Sequence, residues 1–377
     1  MGNLKNKIFD VSSLGLTDFI GTGTVAIFWF YIASILGPEN YGELTYLISI
    51  ATLVSGIALF GSNHTIWILA AKKVDIHATI FLITSITSVI GAVGVLVLFH
   101  NIGISFVVLA YFLLSLVISD FLGKKLYRSY SKYVIVQKVL MVIFGIGFYY
   151  LFGESGILVG IALSYAHLIY PMIQAVKNSK INFNLIKEKK EFILNNLSLS
   201  FSRTFHGSID KLIIAPLLGF AILGNYSLGL QFFSIISILP GTAVKYLIAQ
   251  DATGIVNKKL KKIMIISSIG MAILGSTIGP SVISYFFPRF LEAEEVIQIV
   301  SWAVIPMTIA GTQYIPKLWA QEKNRLILYH TLIVLVTQII AILSLGSLYG
   351  TLGIGVAFVL SNTIGCIFIV IADKMTE

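Results

Sequence analysis

The stretch Glu191–Gly219 reads EFILNNLSLSFSRTFHGSIDKLIIAPLLG. It is long and apolar enough to cross a bilayer, which takes about 20 mostly apolar residues. Yet its middle carries Arg203, His206, Asp210 and Lys211. Each charged side chain at membrane depth costs roughly 2.5 kcal/mol or more on insertion scales. That cost is tolerated where the group faces a partner or a wet cavity. Arg203, His206 and Asp210 recur at i, i+3 and i+7, so one helix face holds all three. Gly207 leaves space on that face, and Lys211 stands about 100° round from Asp210. A basic stripe beside water suits an anionic group such as a phosphate. Other readings stay open: Arg203 could pair with an acid on a neighbouring helix, and His206 could bond Asp210 one turn on. Both would only hold a bundle together. Lys211 can also snorkel along its stem.

The rest of the chain agrees that lipid is its solvent. Of 377 residues, 57% are hydrophobic and only 11% charged, against about 25% charged in soluble domains. Charge this sparse cannot cover a soluble surface, and the formal +9 is a matter of placement rather than a nucleic-acid signal. The single cysteine, Cys366, has no internal disulfide partner. There is no Cys/His cluster at metal spacing, and no cofactor is called for. Lys5 and Lys7 resemble the start of a signal peptide, but the apolar run that follows carries Asp18 and continues to Leu36. That is too long for a signal, so it reads as the first span.

A ruler of about 20 apolar residues gives about twelve spans, at 14–36, 44–70, 78–99, 102–122, 133–152, 156–176, 192–218, 222–248, 263–287, 293–319, 326–348 and 351–372. The pairs 78–99/102–122 and 326–348/351–372 are joined by short turns and should be antiparallel hairpins. No alternating β-barrel pattern occurs. The basic residues then sort themselves. Alternate loops hold 21 Lys and Arg on one side and one, Arg289, on the other. By the positive-inside rule both termini are cytoplasmic, which needs an even number of spans. Lys138, Arg203, Lys211 and Lys245 remain inside spans, and Lys138 and Lys245 are expected to snorkel from inner ends.

The polar, lysine-rich loop at 177–191 divides the chain into an N-lobe (1–176, spans one to six) and a C-lobe (192–377, spans seven to twelve). It should lie along the anionic inner leaflet. One motif recurs across it. Span one ends Leu36-Gly37-Pro38-Glu39-Asn40-Tyr41-Gly42, and span seven ends Leu218-Gly219 before Gly224-Asn225-Tyr226-Ser227. The glycines stand 182 apart and the tyrosines 185. Equal orientation of six-span halves makes this a parallel repeat, about an axis along the membrane normal. Gly and Pro also have a local reason, ending a helix and forbidding its continuation. Tyr41 and Tyr226 are expected at the outer interface. Two matched halves suggest rocking about a central site, with Pro240-Gly241 as a hinge in span eight and further breaks at Pro171 and Pro306.

These features resemble the polysaccharide-transport branch, the Wzx-type O-antigen flippases, of the multidrug/oligosaccharidyl-lipid/polysaccharide (MOP) exporter superfamily. The residues that carry the likeness are LGPENYG after span one, the basic loop after span two, Arg203 with Asp210-Lys211, and the Leu218–Ser227 turn. The resemblance implies an all-α, MATE/MOP-like bundle that moves a polyprenyl-diphosphate-linked oligosaccharide from the inner to the outer face of the cytoplasmic membrane. It further implies that spans one and seven line a cationic cavity while spans two and eight flank a lateral gate. The chain is short, lacking the thirteenth and fourteenth spans of some relatives. On this reading Arg203, His206, Asp210, Lys211, Asp18 and Gln231 are the substrate-binding candidates, with Ser202 and Thr204 beside them. Asp18 lies about 6 Å in from the inner end and Arg203 about 16 Å, and Asp18 has an alternative role as a helix N-terminal acid. The partners expected are the lipid-linked sugar, the bilayer and glycan-assembly machinery, with no nucleic acid; the protein should be a monomer. A coupling ion, H+ or Na+, stays open. Rival functions are a multidrug antiporter of the same superfamily, a membrane polysaccharide polymerase or glycosyltransferase, and a structural subunit. An enzyme would need larger, acid-bearing outer loops than these, so no catalysis is expected.

Overall fold

An apolar helix of 40 residues, Ile20–Leu59, would run about 60 Å if straight, twice a hydrocarbon core of about 30 Å. The computed structural model breaks it at Gly37, whose φ of +77° suits a residue without a Cβ. Arg325–Met375, 51 residues long, is broken in the same way at Gly350, φ +57°. The structure describes residues 2–71, 74, 76–177, 179–189, 193, 204–205, 207–251, 257–321 and 323–376; at 2–16, 18–19, 64, 245–246, 248–250, 324 and 376 it describes the backbone alone.

Every regular element among the described residues is helical. The helices are α1 (Gly2–Leu59), α2 (Ser62–Ala71), α3 (His77–Phe99), α4 (Ile102–Gly123), α5 (Tyr127–Phe152), α6 (Glu154–Leu163), α7 (Ile169–Lys177) and α8 (Phe183–Glu188). They continue as α9 (Ile209–Leu218), α10 (Phe220–Ile236), α11 (Ile238–Asp251), α12 (Lys258–Phe286), α13 (Ala293–Val300), α14 (Val304–Ile309), α15 (Ile315–Ala320), α16 (Asn324–Ala341) and α17 (Ser347–Thr376). Among the described residues, eight helices or continuous runs of helix are long and apolar enough to cross a membrane, and the α10–α11 pair, bent by 56°, makes a ninth. Counting the two runs broken at Gly37 and Gly350 twice gives eleven among the described residues. The chain is an all-α, multi-pass membrane protein.

Contacts divide it into two units: Met1–Phe28 with Leu47–Ser208, and Trp29–Tyr46 with Ile209–Glu377. In the first, Leu59, Ile66, Leu69, Ile80, Phe81, Phe112 and Leu116 form an apolar core. The α3–α4 hairpin turns through His100 in the left-handed region, and the Asn101 side chain then caps α4 by accepting from the Ile104 amide at 3.2 Å. Span two is not the continuous 44–70 helix expected. It breaks at Phe60 (φ +46°) and Gly61 (φ +68°), which leaves the Ala58 carbonyl without its helical donor. The Thr87 hydroxyl donates to that carbonyl at 2.7 Å.

In the second unit the two copies of the repeat meet. A Cβ on Gly42 would collide with the Phe220 carbonyl, and a Cβ on Gly224 with the Pro38 carbonyl. Pro38 and Phe220 are 182 residues apart, as are Gly42 and Gly224, and so are Thr45 and Ser227, whose hydroxyls lie 3.2 Å apart. The repeat is therefore Leu-Gly-x4-Gly-x2-Thr/Ser at a single offset, and Tyr41 corresponds to Leu223 rather than to Tyr226. Neither tyrosine faces the surroundings of the protein. Tyr41 is 2% exposed, edge-on to Trp29 and Phe290, and Tyr226 is fully buried. The Arg289 guanidinium occupies the space that a Cβ on Gly37 would need.

Candidate functional site

The break at Phe60-Gly61 borders a hollow in the first unit. Irregular backbone at membrane depth is tolerated where it lines a cavity. Here Leu59, Gly61 and Asn63 form one wall of a space of about 370 Å³, with Thr52, Ser55, Gly56, Tyr111, Ser115 and Thr204 around it. A second space, also about 370 Å³, shares Asn63, Leu114 and Ser115 as a common wall. It is closed by Ser119, Tyr130, Gln137 and Lys138. Each volume is within the ~300–1,000 Å³ typical of ligand sites.

The polar groups of this hollow are arranged to accept hydrogen bonds. Thr52 donates its hydroxyl proton to the Ile48 carbonyl at 2.8 Å, Ser55 to that of Thr52 at 3.0 Å, and Ser119 to that of Ser115 at 2.6 Å. Such back-bonding to a helix carbonyl leaves the oxygen lone pairs as acceptors. Gln137 donates through Nε2 to Ser164 Oγ at 3.1 Å, and its buried Oε1 has no hydrogen-bond partner. Lys138 supplies the cation. It is half-buried, its stem passes Gly21, and among the described residues no carboxylate lies within ion-pair distance of it. Lys138 therefore lines this second space. In the sequence, Gly61-Ser62-Asn63 was the available signal, a turn-forming triplet within an apolar run.

The residues singled out from the sequence divide into three groups. Arg203 and His206, with Ser202, lie outside the described residues, as does the side chain of Asp18. Thr204 lines the hollow. Asp210 and Lys211 belong to the interior of the second unit. Asp210 is 4% exposed. Its Oδ1 accepts from the Lys211 amide at 2.8 Å and lies 3.3 Å from the Lys211 ammonium, while its Oδ2 accepts from the Tyr226 hydroxyl at 3.0 Å. Gln231 is half-buried on α10. Pro240 is buried and follows the 56° bend between α10 and α11; Gly241 is exposed. The Lys245 side chain lies outside the described residues.

No protein-family model and no curated protein sequence matches the chain. Solved structures do. The lipid II flippase MurJ, in an inward closed conformation, is similar with a TM-score of 0.71 at 13% identity, over 97% of this chain and 87% of that one. A multidrug resistance MATE family transporter of the MOP superfamily is similar in its inward-facing conformation, with a TM-score of 0.69 at 12% identity over 96% and 94%. In its outward-facing conformation a MATE family transporter gives 0.67 at 14% over 97% and 95%. Identities this low speak to architecture alone, and the architecture is the all-helical fold seen in this flippase and these MATE transporters.

Proposed function

We propose that this chain is a flippase that moves a lipid-linked oligosaccharide, joined to its carrier through a diphosphate, across the cytoplasmic membrane by alternating access. The observation that supports this reading is the hollow in the first unit, whose walls carry hydroxyl oxygens and the Lys138 side chain, with no carboxylate partner for Lys138 among the described residues. Sugar hydroxyls are donors and would meet Thr52, Ser55 and Ser119; a phosphate would meet Lys138. Arg203, next to Thr204 in sequence, would add a second cation. In this reading the protein is a monomer with both termini in the cytoplasm, receives its cargo from glycan-assembly enzymes and carries out no catalysis itself.

A multidrug antiporter of the same fold is the rival. It would be expected to keep an uncommitted carboxylate within a span for a proton or a cationic drug. The described candidates are all engaged: Asp120 with His77 and Lys124, Asp210 with Lys211, Asp251 with Lys261, and Asp373 with Lys317. The test is flipping of a labelled polyprenyl-diphosphate oligosaccharide in proteoliposomes. Losing a hydrogen bond to a charged group is worth about 1.5–3 kcal/mol, or about 10- to 150-fold in rate. Lys138→Ala and Arg203→Ala should each lower the initial rate by that factor while inserting normally, and Lys138→Arg should retain more activity than Lys138→Ala. Wild-type rates in both alanine variants, or ion-driven export of a cationic drug in place of the sugar lipid, would refute the proposal.

A further inference from the structure

A second basic cavity lies at the lysine-rich end of the other unit, where α12 begins. Lys258, Lys261 and Lys262 come off its first turns at i, i+3 and i+4, and Lys317 faces them across a space of about 530 Å³. The remaining wall includes Gln313 and Tyr314, which stand in a π-helical turn at Ala310–Tyr314. Such turns inside helices often mark functional sites. Two of the four ammonium groups are already neutralised. Lys261, 5% exposed, is held by Asp251 at 2.6 Å, and Lys317 by Asp373 at 2.8 Å. Lys258 and Lys262 are exposed, and among the described residues neither has an ion pair. The cavity thus keeps two uncompensated positive charges beside the N-terminal end of a 29-residue helix, an end that itself favours anions.

What lies below these lysines says which anion fits. On α12, Lys258 and Lys262 are followed at helical spacing by Ile266, Ile269 and Ile273, all exposed. One helix face therefore passes from cationic to apolar without a break. A soluble anion has no use for the apolar part, whereas a phospholipid needs both. We infer that this cavity binds the phosphate headgroup of an anionic phospholipid, with Lys258 and Lys262 on the phosphate and the acyl chains along Ile266, Ile269 and Ile273. Basic pockets between spans on the positive side of a membrane protein hold such headgroups by this combination of charge and apolar depth. The site lies in a different unit from the hollow assigned to the cargo, so its occupancy does not depend on that assignment.

Native mass spectrometry of the detergent-purified, full-length protein tests the inference, with phosphatidylglycerol and phosphatidylcholine added in turn. The expected result is preferential retention of phosphatidylglycerol, reduced about tenfold or more in Lys258→Gln/Lys262→Gln, since each lysine near a lipid surface contributes about fivefold. Lys132→Gln/Lys187→Gln removes the same charge from exposed positions elsewhere and should leave retention unchanged. Equal retention of the two lipids, or the same loss in both double variants, would overturn the site. Displacement of the lipid by millimolar inorganic phosphate would overturn the lipid as occupant and make the cavity a site for a soluble phosphate.

Discussion

Asp210 has three donors around one carboxylate, and one of them comes from far along the chain. Lys211 is adjacent, but the Tyr226 hydroxyl reaches Oδ2 from 16 residues away. The sequence set Lys211 about 100° round from Asp210, because a helix fixes the angle between neighbours, and did not pair them. It gave no sign of Tyr226, whose approach depends on how α9 packs on α10. For Lys138, likewise, the distance from the end of its span could be counted, but the hollow beside it could not. Removing the hydroxyl leaves a buried oxygen without a donor, which costs about 1–3 kcal/mol. Tyr226→Phe should accordingly lower the thermal unfolding midpoint measured in detergent, and an unchanged midpoint would mean that the bond contributes nothing. Asp210→Asn keeps the shape of the group, so it should impair flipping less than Arg203→Ala does. Equal loss in the two variants would place Arg203 in a structural ion pair.

Proline marked three of the helix interruptions in advance. A proline has no amide proton for the carbonyl four residues back and crowds it sterically. Pro171 and Pro306 each have a short 3₁₀ stretch at that distance, Ala166–Leu168 and Ser301–Ala303. For Pro240 the residue is Ile236, where α10 ends and the chain turns by 56°. Pro216 and Pro280 are accommodated inside helices instead, so the rule gives candidates rather than certainties. The break at Phe60-Gly61 has no proline at all, which is why the expected 44–70 span ran straight through it. Restoring a donor at 240 should relax the bend. In Pro240→Ala, the distance between spin labels at the exposed positions Ala221 and Thr242 should lengthen relative to wild type. An unchanged distance would show that neighbouring packing holds the bend.

Across the whole chain, two regularities carried the architecture: basic residues on alternate loops, and a motif repeated near half the length. The first needs no structure, because it reflects which side of the membrane each loop stays on. The second was visible but misaligned, since tyrosine was matched to tyrosine while packing matches glycine to glycine. The glycines matter because two backbones touch: Gly42 against the Phe220 carbonyl and Gly224 against that of Pro38. Thr45 donates to the Gly42 carbonyl at 2.9 Å, so at 3.2 Å Ser227 is the donor in the bond between the paired hydroxyls. Both segments lie in one unit, yet they belong to the two halves of the repeat. If the halves rock during transport, this seam must part once in every cycle. With Cys366 replaced by alanine, Thr45→Cys/Ser227→Cys puts two thiols where hydroxyls now meet, close enough for a disulfide once the side chains rotate. Oxidation should then abolish flipping in proteoliposomes, and a reducing agent should restore it. A confirmed disulfide that leaves the rate unchanged would mean that the seam stays shut while cargo crosses, and alternating access would have to be given up.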